Sequence, residues 1–148
     1  MTLDELELPE ANTPVGGYVM AARHGDLVFV SGHGSFEGGE PRHLGRLGQT
    51  LTTEEGAEAA AVVTLNLLAT LRKELGDLGR VRRFVKLVVF VSSTPDYAEQ
   101  HLVANGATDT LVRLFGEDIG RPARSAIGVA GLPLGFAVEI EAVVEVDE

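Results

Sequence analysis

The sequence predicts an α+β fold in which two helices pack on one face of a single β-sheet. Two observations lead to this class. Two long segments carry apolar residues at helical spacing, and five shorter segments have the composition of strands, in the order ββ, α, β, α, ββ. The last strand has one apolar and one charged face, which predicts a sheet that is covered by helices on one side only.

The N-terminal half begins with residues 1–14, which form a poorly patterned arm. Two extended runs follow, at 18–23 and 27–32, and the intervening His24-Gly25-Asp26 predicts a hairpin. Residues 33–48 are rich in glycine and lack periodicity, which indicates a loop with at most a short extended piece. At 148 residues, the whole chain is expected to form one domain.

The clearest helix lies between residues 52 and 76. Thr52 and Glu55 have the spacing of a capping box, and Gly76 stands where a helix commonly ends in a left-handed residue. The predicted apolar stripe, which counts Thr64 for its methyl group, consists of positions 57, 60, 61, 64, 65, 68, 71 and 75. A strand of β-branched residues follows, with a core face predicted to contain Val85, Leu87, Val89 and Val91.

The second helix is predicted to begin at Thr94 or Asp96, with Pro95 in its first turn, and to end at Gly116. Asn105 and Gly106 lie in its middle, where neither residue favours a helix.

Two strands, at 124–130 and 137–146, close the chain. Alternation along the last strand puts Glu139 and Glu141 on its polar face. If the two strands pair as a hairpin, Arg124 lies on the same open face as the glutamates. The apolar face of the preceding strand would then consist of Ser125, Ile127 and Val129. The open face would also carry Phe84, Lys86, Val88 and Phe90. Such a surface predicts a homo-oligomer with polar pockets at its subunit contacts.

Composition argues against several functional classes. The net charge of −10 disfavours nucleic-acid binding, because the only dense basic cluster is Arg80, Arg82 and Arg83. The chain has no cysteine, which fits a cytoplasmic location, and no apolar run near the roughly 20 residues of a membrane span. No metal site is expected, because the four histidines have no HxH or HExxH spacing.

The C-terminal motifs resemble the Rid family, also called the YjgF/YER057c/UK114 family. They are the PARS segment at 122–125, the Leu-Pro turn at 132–133 and VEIEA at 138–142. The N-terminal hairpin is also similar, with Gly-Tyr-Val at 17–19 and Val-Ser-Gly at 30–32. The resemblance spans roughly residues 14–146 in the same order of elements.

The resemblance implies a chorismate-mutase-like fold, a homotrimer with clefts between subunits, and hydrolysis of 2-imino or enamino acids to 2-keto acids and ammonia without a cofactor. It implies that Arg124 clamps the substrate carboxylate and that Glu139 handles the attacking water. Tyr18, Ser31 and Gly32 would line the pocket, together with Asn105 of the second helix.

Two departures leave alternatives open. Ala126 stands where the deaminase branch usually has a cysteine, and an ungapped alignment places Thr108, rather than Asn105, at the family's asparagine position. The NGATDTLVRLFG and LPLG segments resemble a less characterised branch. Besides a deaminase, the sequence therefore allows a non-catalytic binder of small carboxylates. A ribonuclease is a third candidate, disfavoured by the net charge. Arg124 could also simply pair with Glu139, Glu141 or an acid of a neighbouring subunit as a structural ion pair.

Overall fold

The computed structural model describes residues 2–148. Its main sheet contains β1 (Ala21–His24), β2 (Leu27–His33), β5 (Val81–Ser92), β6 (Ala123–Val129) and β7 (Val138–Val146), in the order β1-β2-β7-β5-β6. A separate small hairpin consists of β3 (Phe36–Glu37) and β4 (Glu40–Pro41). Helices α1 (Thr53–Leu75) and α2 (Gln100–Phe115) pack together, and the short α3 (Glu117–Gly120) follows α2. The predicted α+β class and both main helices are confirmed.

Helix α1 begins and ends where the sequence predicts. Thr52 Oγ1 accepts a hydrogen bond from the backbone N–H of Glu55, and the Glu55 carboxylate accepts one from the N–H of Thr52. Gly76 ends the helix with a φ of 83°. The buried face is shifted from the predicted stripe, because it includes Val63 and Leu67, whereas the predicted positions 57, 61 and 65 are only partly buried.

Helix α2 begins at Gln100, so its predicted start at Thr94 or Asp96 is wrong. Residues 94–97 instead form a turn, in which the N–H of Tyr97 donates to the carbonyl of Thr94. Gly106 has a packing role inside this helix. A Cβ at this position would collide with the carbonyl oxygen of Ala57, so only glycine lets α2 approach α1 this closely.

The sheet order corrects the predicted C-terminal hairpin. Strand β5 lies between β6 and β7 and pairs parallel with β6 and antiparallel with β7. Leu87 is the partner of Arg124, and Phe90 is the partner of Glu139. Because Leu87 faces the helices and Phe90 the open side, Arg124 and Glu139 lie on opposite faces of the sheet. The predicted apolar face of β6 is therefore inverted, and Ser125 and Ile127 lie on the open face.

A β-bulge between Phe84 and Lys86 changes the predicted faces of β5. Phe84 is fully buried and Val85 is exposed, the reverse of the sequence prediction. Beyond the bulge the prediction is correct, since Leu87, Val89 and Val91 are buried. An inserted residue shifts the alternation by one, which a strict period of two does not anticipate.

Part of the predicted N-terminal arm packs against the core. Leu6 is buried, and Arg72 Nη2 donates to the carbonyl oxygens of Leu3 and Leu6, each at 2.9 Å. None of the helices within residues 2–148 is both long and apolar enough to cross a membrane.

Candidate active site

Arg124 lies on the helix side of the edge strand β6 and is held by side chains and backbone of α2. Its Nη1 donates to Asn105 Oδ1 at 2.9 Å and to Thr108 Oγ1 at 3.2 Å. Its Nη2 donates to the carbonyl oxygen of His101 at 3.3 Å. The alternatives Asn105 and Thr108 therefore both contact the guanidinium, because they lie three residues apart on one face of α2.

The charge of Arg124 is not neutralised by a carboxylate in the part of the chain that the structure describes. Among residues 2–148, Arg124 forms no salt bridge, so a structural ion pair with Glu139 or Glu141 is absent there. A guanidinium has five N–H groups, and the three hydrogen bonds to α2 leave two for another acceptor. Arg124 and Thr108 line a small pocket of about 220 Å³, together with Asp109 and Arg121.

Glu139 lies on the open face of β7 beside the β2 bulge. An ideal Cβ at Gly32 would lie only 2.7 Å from Glu139 Oε2, so the absence of a side chain at Gly32 makes room for this carboxylate. Burial raises the pKa of Glu139, and the negative charge of Glu141 raises it further. Lys86 forms no salt bridge with either glutamate among residues 2–148, and its Nζ donates to Ser125 Oγ at 3.0 Å.

The bulge in β2 brings Ser31 and Gly32 to this face. Val30 pairs with Ala142 and His33 with Ile140, which leaves Ser31 and Gly32 opposite a single residue of β7. Ser31 Oγ donates to the carbonyl oxygen of Val19 at 2.6 Å. This bond ties the bulge to the segment that contains Tyr18, whose side chain is exposed.

His33 supports the bulge from the core. Its Nδ1 lies 2.6 Å from the carbonyl oxygen of Ser31, and its Nε2 lies 2.7 Å from Thr70 Oγ1. Since a carbonyl can only accept, Nδ1 donates, and Nε2 accepts from the hydroxyl in the neutral ring. Burial lowers the pKa of His33, which favours that neutral form.

The predicted site residues therefore form two groups. Arg124 and Asn105 meet on the helix side, whereas Ser31, Gly32 and Glu139 meet on the open face, with Tyr18 close by in the chain. Ala126 faces the helix side, as Arg124 does, and packs against the core. Sequence reasoning missed His33 as the support of the bulge, because a single histidine in a strand carries no spacing signal. Within residues 2–148, no group of three or more His, Asp or Glu side chains is arranged to hold a metal ion.

Comparisons with known proteins agree with the resemblance in the sequence. The model of the family Endoribonuclease L-PSP matches residues 9–146. Protein TCP17 of Trypanosoma cruzi is 44% identical over 142 residues, which cover 96% of this chain and 89% of that protein.

Two solved structures are similar to the chain over most of its length. Atu1372 of Agrobacterium tumefaciens, described as having unknown function, is 40% identical with a TM-score of 0.90, covering 97% of this chain and 87% of that one. RidA from an Antarctic Psychrobacter species is 29% identical with a TM-score of 0.64, covering 93% of this chain and 94% of that one. The fold is thus closer to Atu1372 than to RidA. The chain belongs to the Endoribonuclease L-PSP family, which is the YjgF/RidA family.

Proposed function

We propose that the protein hydrolyses 2-imino acids to 2-keto acids and ammonia, with Arg124 as the clamp for the substrate carboxylate. The observation that carries this proposal is the hydrogen bonding of the Arg124 side chain. Neutral acceptors on α2 orient its guanidinium, no carboxylate of the described chain pairs with it, and two of its N–H groups remain available. A planar guanidinium matches a carboxylate in a bidentate manner, which fixes one end of a 2-imino acid.

The reaction needs one base and one water molecule. Starting from the protonated imine, the water oxygen forms a C–O bond to the imine carbon, the C=N π electrons move to nitrogen, and Glu139 accepts one proton from the water. Glu139 then returns this proton to the nitrogen of the carbinolamine. The C–N bond breaks as the hydroxyl group loses its proton to Glu139 and becomes the C=O group, which yields the keto acid and ammonia, and the ammonia takes up the proton from Glu139. The raised pKa of Glu139 suits this role, because a carboxylate that is easier to protonate is a stronger base. No redox step is involved.

The two groups of site residues meet only if a neighbouring copy contributes one of them. Arg124 and Glu139 face opposite sides of the sheet in one chain. The open face also exposes Phe29 and Ile127, with 48% and 44% of their surfaces accessible, which favours cover by another copy. We therefore propose that the protein forms a homotrimer in which Arg124 of one copy faces Glu139 of the next.

Complementation between two variants tests the activity and the shared site together. Arg124→Met and Glu139→Gln are each expected to lose about 100-fold in the rate of ammonia and keto-acid release from enzymatically generated 2-iminopropanoate. Unfolding and refolding the two variants together should restore about a quarter of the wild-type rate, because that fraction of randomly assembled interfaces has both native residues. Light scattering checks that each sample is trimeric.

Two outcomes would contradict the proposal. If mixing restores nothing although each variant is trimeric and impaired, both residues act within one chain and the shared site is wrong. If the wild type does not accelerate hydrolysis of any 2-imino acid, but keto acids bind in an Arg124-dependent manner, the protein is a non-catalytic carboxylate binder.

Ribonuclease activity, which the family description names, is disfavoured by the net charge of −10. Of the densest basic cluster, Arg80 and Arg82 both approach the carboxylate of Asp147, at 2.7 and 4.0 Å. That acid reduces the positive potential that a phosphate backbone would need. A cytoplasmic location remains a prediction from the cysteine-free sequence.

A further inference from the structure

His33 is a polar side chain at a core position of β2. Val28, Val30 and His33 are all buried on the helix side of the sheet, and the bulge lies between the last two. A buried imidazole loses more hydration energy than an apolar side chain of similar size. Packing alone would therefore be satisfied by a third apolar residue at this position.

Thr70 of α1 contacts one nitrogen of this ring. Its buried hydroxyl lies 2.7 Å from His33 Nε2, and within residues 2–148 it has no other hydrogen-bond partner. Thr64, another buried threonine of α1, instead donates to the carbonyl of Ala60 in its own helix at 2.8 Å. The Thr70 hydroxyl is thus directed at β2, and it anchors the imidazole to α1.

The other ring nitrogen of His33 fixes the bulge. Nδ1 donates to the carbonyl oxygen of Ser31 at 2.6 Å. A peptide unit is planar, so this bond also fixes the plane that contains the N–H of Gly32. The N–H and Oγ of Ser31 donate to the carbonyls of Met20 and Val19, at 2.9 and 2.6 Å. The bulge is therefore held between the segment before β1 and, through the imidazole, helix α1.

The bulge in turn limits where the Glu139 carboxylate can lie. An ideal Cβ at Gly32 would be 2.7 Å from Glu139 Oε2 and 2.9 Å from its Cδ, so the carboxylate rests directly against this part of the backbone. A shift of about 1 Å in a reacting group can lower a rate by about 100-fold. The position of the bulge therefore bears on any reaction in which Glu139 acts as a base.

We infer that His33 and Thr70 are positioning residues for Glu139, because they hold the β2 bulge in the place where Gly32 accommodates the carboxylate. This inference rests on the function proposed above, in which Glu139 accepts the proton of the water. Both side chains are buried, so they act through the backbone of the bulge and do not touch the substrate. The pair should affect the rate of the chemical step, whereas substrate binding depends on Arg124.

Two substitutions of His33 separate positioning from stability. His33→Phe fills the buried space but lacks the donor to Ser31, so it should lower kcat for 2-iminopropanoate at least about tenfold and keep KM within about twofold. His33→Asn leaves a cavity, but its amide nitrogen replaces Nδ1, so it should be less stable than His33→Phe and keep kcat within about threefold of the wild type. A merely structural role predicts the opposite order of rates, with the less stable variant being the slower one.

Thr70→Val and Thr64→Val form a matched pair, because each replaces a buried hydroxyl of α1 by a methyl group. Thr70→Val removes the partner of His33 Nε2 and should lower kcat by about threefold or more. Thr64→Val should keep the wild-type kcat, since its hydroxyl donates only within α1. Chemical denaturation compares the stabilities of the two variants.

An NMR titration of the Glu139 side-chain carboxyl tests the positioning without a substrate. Burial raises the pKa of Glu139, so a loosened bulge that admits water should lower this pKa towards its ordinary value of 4.5. The decrease is expected in His33→Phe and Thr70→Val, and it should be absent in His33→Asn and Thr64→Val. The negative charge of Glu141 is the same in all four variants.

Three results would overturn the inference. They are a wild-type kcat in folded His33→Phe, an equal loss of rate in Thr70→Val and Thr64→Val, and the same pKa of Glu139 in all variants. A wild type that hydrolyses no 2-imino acid, combined with the expected changes in pKa, would contradict the proposed function alone and would support the positioning of Glu139 by His33.

Discussion

The two groups of site residues differ in what holds them in place. On the helix side, Arg124 is fixed by three acceptors of α2, and the chain supplies all of them. On the open face, Glu139 rests against Gly32 but has no cationic partner among residues 2–148, and exposed Phe29 and Ile127 share that face. One chain thus completes the cationic half of the site, while the carboxylate half depends on what covers the open face.

The largest expected effect concerns the contact between α1 and α2 at Gly106, on the helix side of the sheet. Gly106→Ala should lower the free energy of unfolding by about 2–3 kcal/mol, because the added methyl collides with the backbone of Ala57 and forces α2 away from α1. The same displacement moves Asn105 from Arg124, so the variant should bind keto acids more weakly. Chemical denaturation and a keto-acid titration measure the two effects.

Gly131→Ala is the matched control for that variant, because no atom lies within 4 Å of an added Cβ there. It should change stability by less than about 0.5 kcal/mol. Equal stability of the two variants would show that the contact between α1 and α2 does not require glycine.

The next effect concerns the charge of Glu139 on the open face. The pKa of Glu139 is raised, so its ionised form destabilises the folded chain, and stability falls as the pH rises through and above its ordinary value of 4.5. Glu139→Gln should therefore melt at a higher temperature than the wild type at pH 7, although its hydrolysis rate falls. Melting curves between pH 4 and pH 7 measure the difference.

Glu141→Gln separates charge repulsion from chemistry at the same place. It removes the negative charge that raises the pKa of Glu139, so it should also raise the melting temperature at pH 7. Its hydrolysis rate should stay within about threefold of the wild type, since the water is handled by Glu139. A loss as large as that of Glu139→Gln would mean that Glu141 takes part in the reaction.

The smallest effect concerns the support of the β2 bulge. The pKa of His33 is lowered by burial, so the unfolded chain binds its proton more readily than the folded chain. Stability is complete above the ordinary pKa of 6.5 and falls as the pH decreases from there towards the lowered value. Denaturant unfolding of the wild type between pH 7.5 and pH 5 should show this loss.

His33→Gln should remove that part of the pH dependence, although the variant is less stable at every pH because it loses the pairing with Thr70. Exposed His24→Gln is the control and should retain the wild-type dependence. An unchanged slope in His33→Gln would mean that another group titrates.

Elements whose boundaries depend on neighbouring residues in the chain could be predicted from the sequence alone. The capping residues of α1, the left-handed Gly76 and the alternation along β7 follow from short-range hydrogen bonding and side-chain periodicity. The family motifs also made Arg124 and Glu139 candidate site residues, and they left Asn105 and Thr108 as alternatives on the second helix.

Only the tertiary structure decided which faces these residues share. The insertion of β5 between β6 and β7 and the bulge at Phe84 depend on pairing between segments far apart in the chain, and each changes the face on which a side chain lies. A local pattern gives the period of a strand, but the partners of that strand decide which side is buried.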